Sequence, residues 1–172
     1  NYRKGTLYFY NNTVISNRIG NTTLFRLSTN SENAECFNNV IYVSASGVRL
    51  ALLDSYGMLS IKNNWIKENW IESHSGLNGV INNLGNNITG TNPGFKDELT
   101  LDYHLLQESE CINSGTGVPV DYQVNFEYVK HSQKQSRNIS GLIDVGAFEY
   151  SLPTLVEAQD RFQIVFYPNP VH

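Results

Sequence analysis

Cys36-Phe37-Asn38-Asn39-Val40-Ile41-Tyr42-Val43 sets an asparagine pair between two short apolar runs, and the same figure recurs along the chain. Pairs stand at Asn11-Asn12, Asn38-Asn39, Asn63-Asn64 and Asn82-Asn83, offset by 27, 25 and 19 residues. Offsets of this size suit the coils of a solenoid, each turn of chain stacked on the last. Counted from the first Asn, the residue two before it is Phe9, Cys36, Ile61 or Val80, and the residue three after it is Val14, Ile41, Ile66 or Gly85. This alternation on either side of the pair predicts two short strands that turn those columns inward, joined by a tight corner. Tyr10, Phe37, Lys62 and Ile81, and likewise Thr13, Val40, Trp65 and Leu84, fall in outward columns. Asn suits the corner, because it tolerates left-handed backbone and its amide can bond the Asn of the next coil. Asn11, Asn38, Asn63 and Asn82 are therefore expected to form a structural ladder. Hairpin turns of a sandwich are the competing arrangement, but hairpins favour Asn-Gly and give no matching inward columns.

Composition agrees. Asn supplies 22 of 172 residues, while no apolar spacing of helical period is sustained, so a turn-dense all-β fold is expected. With 12 Lys+Arg against 16 Asp+Glu and no basic cluster, nucleic acid is not the expected partner. No stretch has the length of a membrane span. Two cysteines make no disulfide scaffold. Cys36 lies in the inward column and is expected to be a buried free thiol, not bridged to Cys111.

The coils Leu7 to Ser16, Cys36 to Val43 and Leu59 to Lys67 resemble the right-handed parallel β-helix proteins of the pectate-lyase-like superfamily, where Asn ladders stack at a corner of a three-sided coil. On that resemblance residues 1–90 are parallel β-helix coils, 91–150 a closing or capping segment, and 151–172 a linker with the start of a further domain. The closing segment resembles one found on secreted β-helix proteins of Bacteroidetes, sometimes called a choice-of-anchor region. Asn92-Pro93-Gly94-Phe95 with Asp97, Asp102-Tyr103-His104-Leu105, Ser109 to Gly115, and Asp144-Val145-Gly146-Ala147-Phe148-Glu149-Tyr150 carry the likeness; Glu110 and Asn113 depart from it. Tyr167-Pro168-Asn169-Pro170 is similar to the opening of a type IX secretion sorting domain. The resemblance implies a secreted or outer-surface protein of a Gram-negative bacterium, with the type IX secretion machinery as one partner and polysaccharide as another.

Lyases on this fold, by the same resemblance, pair a Lys or Arg base with calcium or a basic group beside a uronate carboxylate. Lys62, Lys67 and Glu68 stand in one coil, but the neighbouring coil offers only Tyr42 and Ser44, so these charges are expected to be a solvated face and no catalytic residue is assigned. His74, His104 and His131 are dispersed and are expected at the surface. Asp97, Asp102, Asp121 and Asp144 sit in turn-like contexts where capping of backbone N–H groups accounts for them, with calcium as the lesser alternative and no other cofactor expected. Trp65 and Trp70 are the carbohydrate-binding candidates, since a flat exposed ring stacks on a sugar. Packing under the 72–79 loop or against the closing segment is the favoured alternative for both. Asp144, Gly146 and Phe148, with apolar Ile143, Val145 and Ala147, are expected to close the end of the solenoid. The chain is thus expected to be the structural and binding C-terminal part of a polysaccharide-directed surface protein. Two rivals stay open: a polysaccharide lyase or glycoside hydrolase whose catalytic residues lie upstream of Asn1, and a non-catalytic adhesin.

Overall fold

The computed structural model describes residues 3–47 and 49–152; the Tyr167–Pro170 motif and the linker beyond Leu152 lie outside the described residues. The first coil is β1 (Gly5–Tyr10), β2 (Thr13–Ser16) and β3 (Thr22–Leu27), and the second is β4 (Glu32–Phe37), β5 (Val40–Val43) and β6 (Leu50–Ser55). The third is β7 (Met58–Lys62) and β8 (Trp65–Lys67), with Ile71 bridging Ala51 and Leu77 bridging Ser55; β9 (Val80–Asn83) and β10 (Ile88–Gly90) make a partial fourth. Parallel pairing stacks the coils into three faces: β1-β4-β7-β9, β2-β5-β8-β10 and β3-β6. The chain is a parallel β-solenoid, and no α-helix occurs among the described residues. Among the described residues no helix is long and apolar enough to cross a membrane.

The inward columns stack as the repeat predicts through three coils, with Phe9 on Cys36 on Ile61 and Val14 on Ile41 on Ile66. Cys36, Ile61 and Ile66 are sealed from solvent in a core with Leu50, Leu52, Leu53 and Leu59. Both cysteines are buried free thiols, and burial pushes each up to about 12.

The fourth coil departs from the expected frame. Ile61 is paired with Asn83 and Trp65 with Ile88, so the corner is taken by Asn86-Asn87, and Val80 lies exposed. Asn82 is not a corner residue. It stands mid-strand beside Ser60, its side chain following the outward Ser60 column.

Within each corner the two asparagines divide the work. The first, at Asn11, Asn38, Asn63 and Asn86, has φ of 52°, 58°, 50° and 56°, a conformation costing most L-residues about 1–2 kcal/mol. That twist points the second inward, and the continuous ladder runs through Asn12, Asn39, Asn64 and Asn87 rather than through the first residues of each pair. Asn12 donates its backbone N–H and side-chain amide to Asn39 Oδ1 at 2.8 and 3.0 Å. Asn39 does the same to Asn64 Oδ1 at 2.9 and 3.0 Å, and Asn64 to Asn87 Oδ1 at 2.9 and 2.9 Å.

After Gly90 the chain runs back along the flank of the solenoid. It forms the antiparallel hairpin β11 (Phe95–Asp97) and β12 (Asp102–Leu105), a single 3₁₀ turn at Val120–Tyr122, and the antiparallel hairpin β13 (Phe126–Val129) and β14 (Gln133–Ser136). The column Thr13, Val40 and Trp65 does face away from the solenoid interior, yet Val40 and Trp65 are fully buried under Phe95, Leu105, Cys111 and Val145. The expectation that Asp144 to Tyr150 closes the solenoid end is corrected. Gly146 donates to Asn38 O at 2.8 Å, and a side chain there would press on Thr13 and Val40, so the segment lies over the flank of the first two coils. Nor is it a strand: Asp144 is the hub of a turn, accepting Asn113 N–H at 2.7 Å and Tyr150 N–H at 2.6 Å.

Candidate functional site

Two hairpins of the closing segment enclose a cleft of about 690 Å³ lined by Tyr103, His104, Tyr128, Lys130, His131 and Phe148, among others. Lys130 Nζ donates to Thr100 O at 2.9 Å and ties one hairpin to the other. Strand alternation puts Asp102 and His104 on one face of β12, and His104 Nδ1 meets Asp102 Oδ1 at 2.6 Å. Burial pushes the Asp102 carboxyl up, but the His104 hydrogen bonds, with Lys96 Nζ 3.7 Å away, outweigh it and hold the group below the usual carboxylate range. The His104 ring lies against Phe148, centroids 4.3 Å apart. Among the described residues Nε2 has no protein partner. Asp102 and His104 also form the wall shared with a second cleft of about 620 Å³, which carries Lys96 and Glu149.

The arrangement supplies stacking surface and orientable hydrogen bonds. Tyr128 is 56% exposed, and an imidazole whose Nδ1 is held by a carboxylate presents Nε2 at a fixed angle to a ligand hydroxyl. No Ser, Thr or Cys side chain bonds His104 among the described residues, so the pair lacks a neighbouring nucleophile to activate. Sequence reading dispersed the histidines and missed this pair. The available signal was the Asp-x-His spacing on a strand, which places both side chains on one face.

A Ser-His-Asp composition recurs on the third face without the polarity of a hydrolase. Ser73 Oγ donates to Asp54 Oδ1 at 2.6 Å, Thr23 Oγ1 donates to Asp54 Oδ2 at 3.1 Å, and His74 Nε2 lies 3.0 Å from the Thr22 carbonyl. Ser73's hydrogen bond leads the influences that hold Asp54 below its usual range, so the serine serves the carboxylate instead of yielding its proton to the histidine.

Trp65, a carbohydrate candidate in the sequence, is closed to any ligand. Its ring is 0% exposed, edge-on to Tyr42 at 5.9 Å, and among the described residues its indole N–H has no hydrogen-bond partner. Trp70 is partly buried against the solenoid core and borders a shallow depression with Glu72, Ser73 and Leu77. Trp65 is no platform, because the closing segment covers it, whereas Trp70 keeps part of its ring exposed beside the third coil's own loop. The four aspartates considered for calcium do not converge. Asp97 accepts Leu99 and Thr100 N–H groups, Asp102 holds His104, Asp121 is exposed in the 3₁₀ turn, and Asp144 organises its own turn.

Gly146 and Asp144 belong to a buried polar network behind the cleft. Arg137 donates through Nε to Glu149 Oε1 at 2.7 Å and through its terminal nitrogens to the carbonyls of Gly146 and Asp144 at 3.2 Å. Glu149 N–H in turn meets Glu127 Oε1 at 2.5 Å, joining the β13–β14 hairpin to the turn. Phe148 projects from that turn onto His104, so its role is to build the cleft wall. No family model, curated protein or solved structure significantly matches the chain.

Proposed function

We propose that this chain is the non-catalytic, polysaccharide-binding part of a secreted or cell-surface β-solenoid protein of a Gram-negative bacterium, related to the pectate-lyase-like proteins it resembles. The cleft between the two hairpins is the observation that carries this reading. Its volume falls in the range of small-ligand sites, about 300–1,000 Å³, and it joins exposed aromatic surface to a few convergent polar groups. That combination suits a sugar, whose ring faces are apolar and whose rim is hydroxyl. The solenoid serves as a stiff support, and the Tyr167–Pro170 motif, in this reading, is the export address recognised by the type IX machinery.

Binding to an array of plant, algal and bacterial polysaccharides tests the proposal. The wild-type chain should retain at least one glycan, and Tyr128→Ala should weaken it by about tenfold, equivalent to about 1.4 kcal/mol of lost stacking and contact. An array with no retained glycan, or equal retention by Tyr128→Ala, overturns it.

A further inference from the structure

The chain leaves the solenoid after Gly90, and the segment that follows lies along the flank, so among the described residues the fourth-coil end is left open. β9 and β10 are the last strands of their sheets, each paired on one side only. In parallel pairing a residue directs its N–H and C=O to one neighbouring strand, and the next residue directs them to the other. Val80 and Leu84 donate to Gly57 O and Ile61 O at 2.9 Å, and Ile88 donates to Asn64 O at 2.8 Å, all toward the third coil. Ile81, Asn83 and Thr89, alternating with them, therefore turn their backbone groups away from the body, where no strand meets them.

Proteins blunt such edges with charge or proline. From Ser75 to Phe95 the chain holds no charged residue, and Pro93 lies past β10, whereas the first coil and its approach carry Arg3, Lys4, Arg18 and Arg26. Val80 and Leu84 beside the open end are each 54% exposed. The two edges are also matched about the Asn86-Asn87 corner, because Asn83 stands three residues before Asn86 and Thr89 three after it. Asn83 follows the inward Ile61 column and Thr89 the inward Ile66 column, so both side chains face the mouth of the interior. A two-fold axis through the corner lays β9 of one copy antiparallel on β10 of another, with Asn83 opposite Thr89 and free donors against free acceptors. The third face ends one coil earlier and leaves a gap there instead of a clash.

We propose that the open fourth-coil end is the interface of a tail-to-tail dimer, β9 of each copy pairing with β10 of the other. One extended peptide completes one edge, whereas a second terminal coil, two strands joined by the same corner, completes both at once. A head-to-tail stack would set the neutral end on a coil bearing cations, and it would not close. The strip from Val80 to Gly90, about 35 Å long and about 10 Å broad, together with the mouth beside it, places the pair near about 1,000 Å² of buried surface, the low end for specific association. A reversible dimer follows. None of these residues lines the cleft, so the interface is independent of what the cleft binds.

Sedimentation equilibrium on the full chain across the micromolar range reads the association. The mass should rise with concentration from 19.4 kDa to twice that value and no further. Leu84→Lys/Thr89→Lys, at two exposed side chains, sets like charges across the two-fold and should raise the dissociation constant at least about tenfold. Thr89→Pro deletes one N–H that the isolated coil leaves free and should weaken the dimer in the same direction. Far-UV circular dichroism checks that both variants keep the fold, and Arg18→Ala on the first coil should dimerise as the wild type does. A monomer at every concentration overturns the interface and leaves the end to residues 153–172 or to another protein. Undiminished dimerisation of the lysine variant places the contact on another face and overturns it equally, and growth beyond the dimer shows head-to-tail stacking in its place.

Discussion

Adjacent asparagines at the solenoid corner share one side chain and perform opposite tasks. Asn39 is fully buried: its Oδ1 accepts from Asn12, and its amide reaches the carbonyls of Phe9 and Phe37 at 2.8 and 2.9 Å as well as Asn64. Asn39→Ala leaves several of those groups buried without a partner, at about 1–3 kcal/mol each, and should lower the urea midpoint markedly. Asn82→Ala should leave it unchanged, because the Asn82 side chain bonds nothing among the described residues. Equal midpoints for the two variants would refute the division of labour. Trp65→Ala should cost about 3–5 kcal/mol in the same assay, since the whole indole is enclosed. The period of the Asn pairs and the inward columns of three coils were legible in the sequence. Which Asn of a pair forms the ladder was not, because either amide can bridge coils and only the left-handed φ of the first decides where each one points. The fourth coil misled for a related reason. Asn82-Asn83 and Asn86-Asn87 are both candidates, and an extra residue in that corner, visible only through register, selects the second.

At the scale of the elements, the β13–β14 hairpin is joined to the Asp144 turn by buried charge. Of the buried carboxylates Glu127, Asp144 and Glu149, the Glu149 group alone bonds the Arg137 guanidinium among the described residues, and Arg137 also donates to the Gly146 and Asp144 carbonyls. Burial dominates at Glu149 and raises its carboxyl above the usual value, even though Arg137 pulls the other way. A carboxyl raised on folding contributes stability that is fully present below its unfolded pKa, about 4.3, and is lost as pH rises through the folded value. Asp54, Asp97 and Asp102 are lowered, so their contribution is present above about 3.9 and is lost as pH falls through their folded values. Stability should therefore gain from Glu149 as pH is lowered from neutral toward the ordinary Glu range, then decline in stronger acid. Glu149→Gln keeps an acceptor for Arg137 and should flatten the first limb while sparing the second. Melting curves from neutral to acid pH check this, and an unaltered first limb in Glu149→Gln would show that Glu149 does not carry it. Of this network only the capping of backbone N–H groups by Asp144 was legible in the sequence: Arg137 and Glu149 are 12 residues apart with no periodic relation, and only the fold of the closing segment brings them together.

For the molecule as a whole, the question is what holds the closing segment on the solenoid. Two kinds of contact do so. The first asparagines of the corners clamp it: Asn38 Nδ2 donates to Thr116 O at 2.7 Å, Thr116 N–H returns to Asn38 Oδ1 at 2.8 Å, and Asn63 Nδ2 donates to Ser114 O at 2.8 Å. The second contact is apolar, with Val145, Phe95, Leu105 and Cys111 buried on Val40, Tyr42 and Trp65. Each clamp contributes a net of about 0.5–1.5 kcal/mol. Full burial of a single Val, Leu or Phe side chain contributes about 1.5–3 kcal/mol, so the apolar contact outweighs the clamps. Trp70→Phe leaves Trp65 as the sole indole and makes its environment readable by fluorescence. In that background Asn38→Gly/Asn63→Gly keeps the left-handed corner available and removes these clamps, leaving that of Asn11 Nδ2 on Asp144 O at 3.2 Å. It should lower the melting temperature while Trp65 emission stays blue and shielded from acrylamide. Val145→Asp places a charge against the indole in the same background. It should undock the segment, shifting Trp65 emission to the red and opening it to quencher while the far-UV signature of the solenoid persists. Blue, shielded emission from Val145→Asp would show that the clamps alone suffice, and red emission from the glycine variant would show that the hydrogen bonds, not the apolar contact, keep the two parts together.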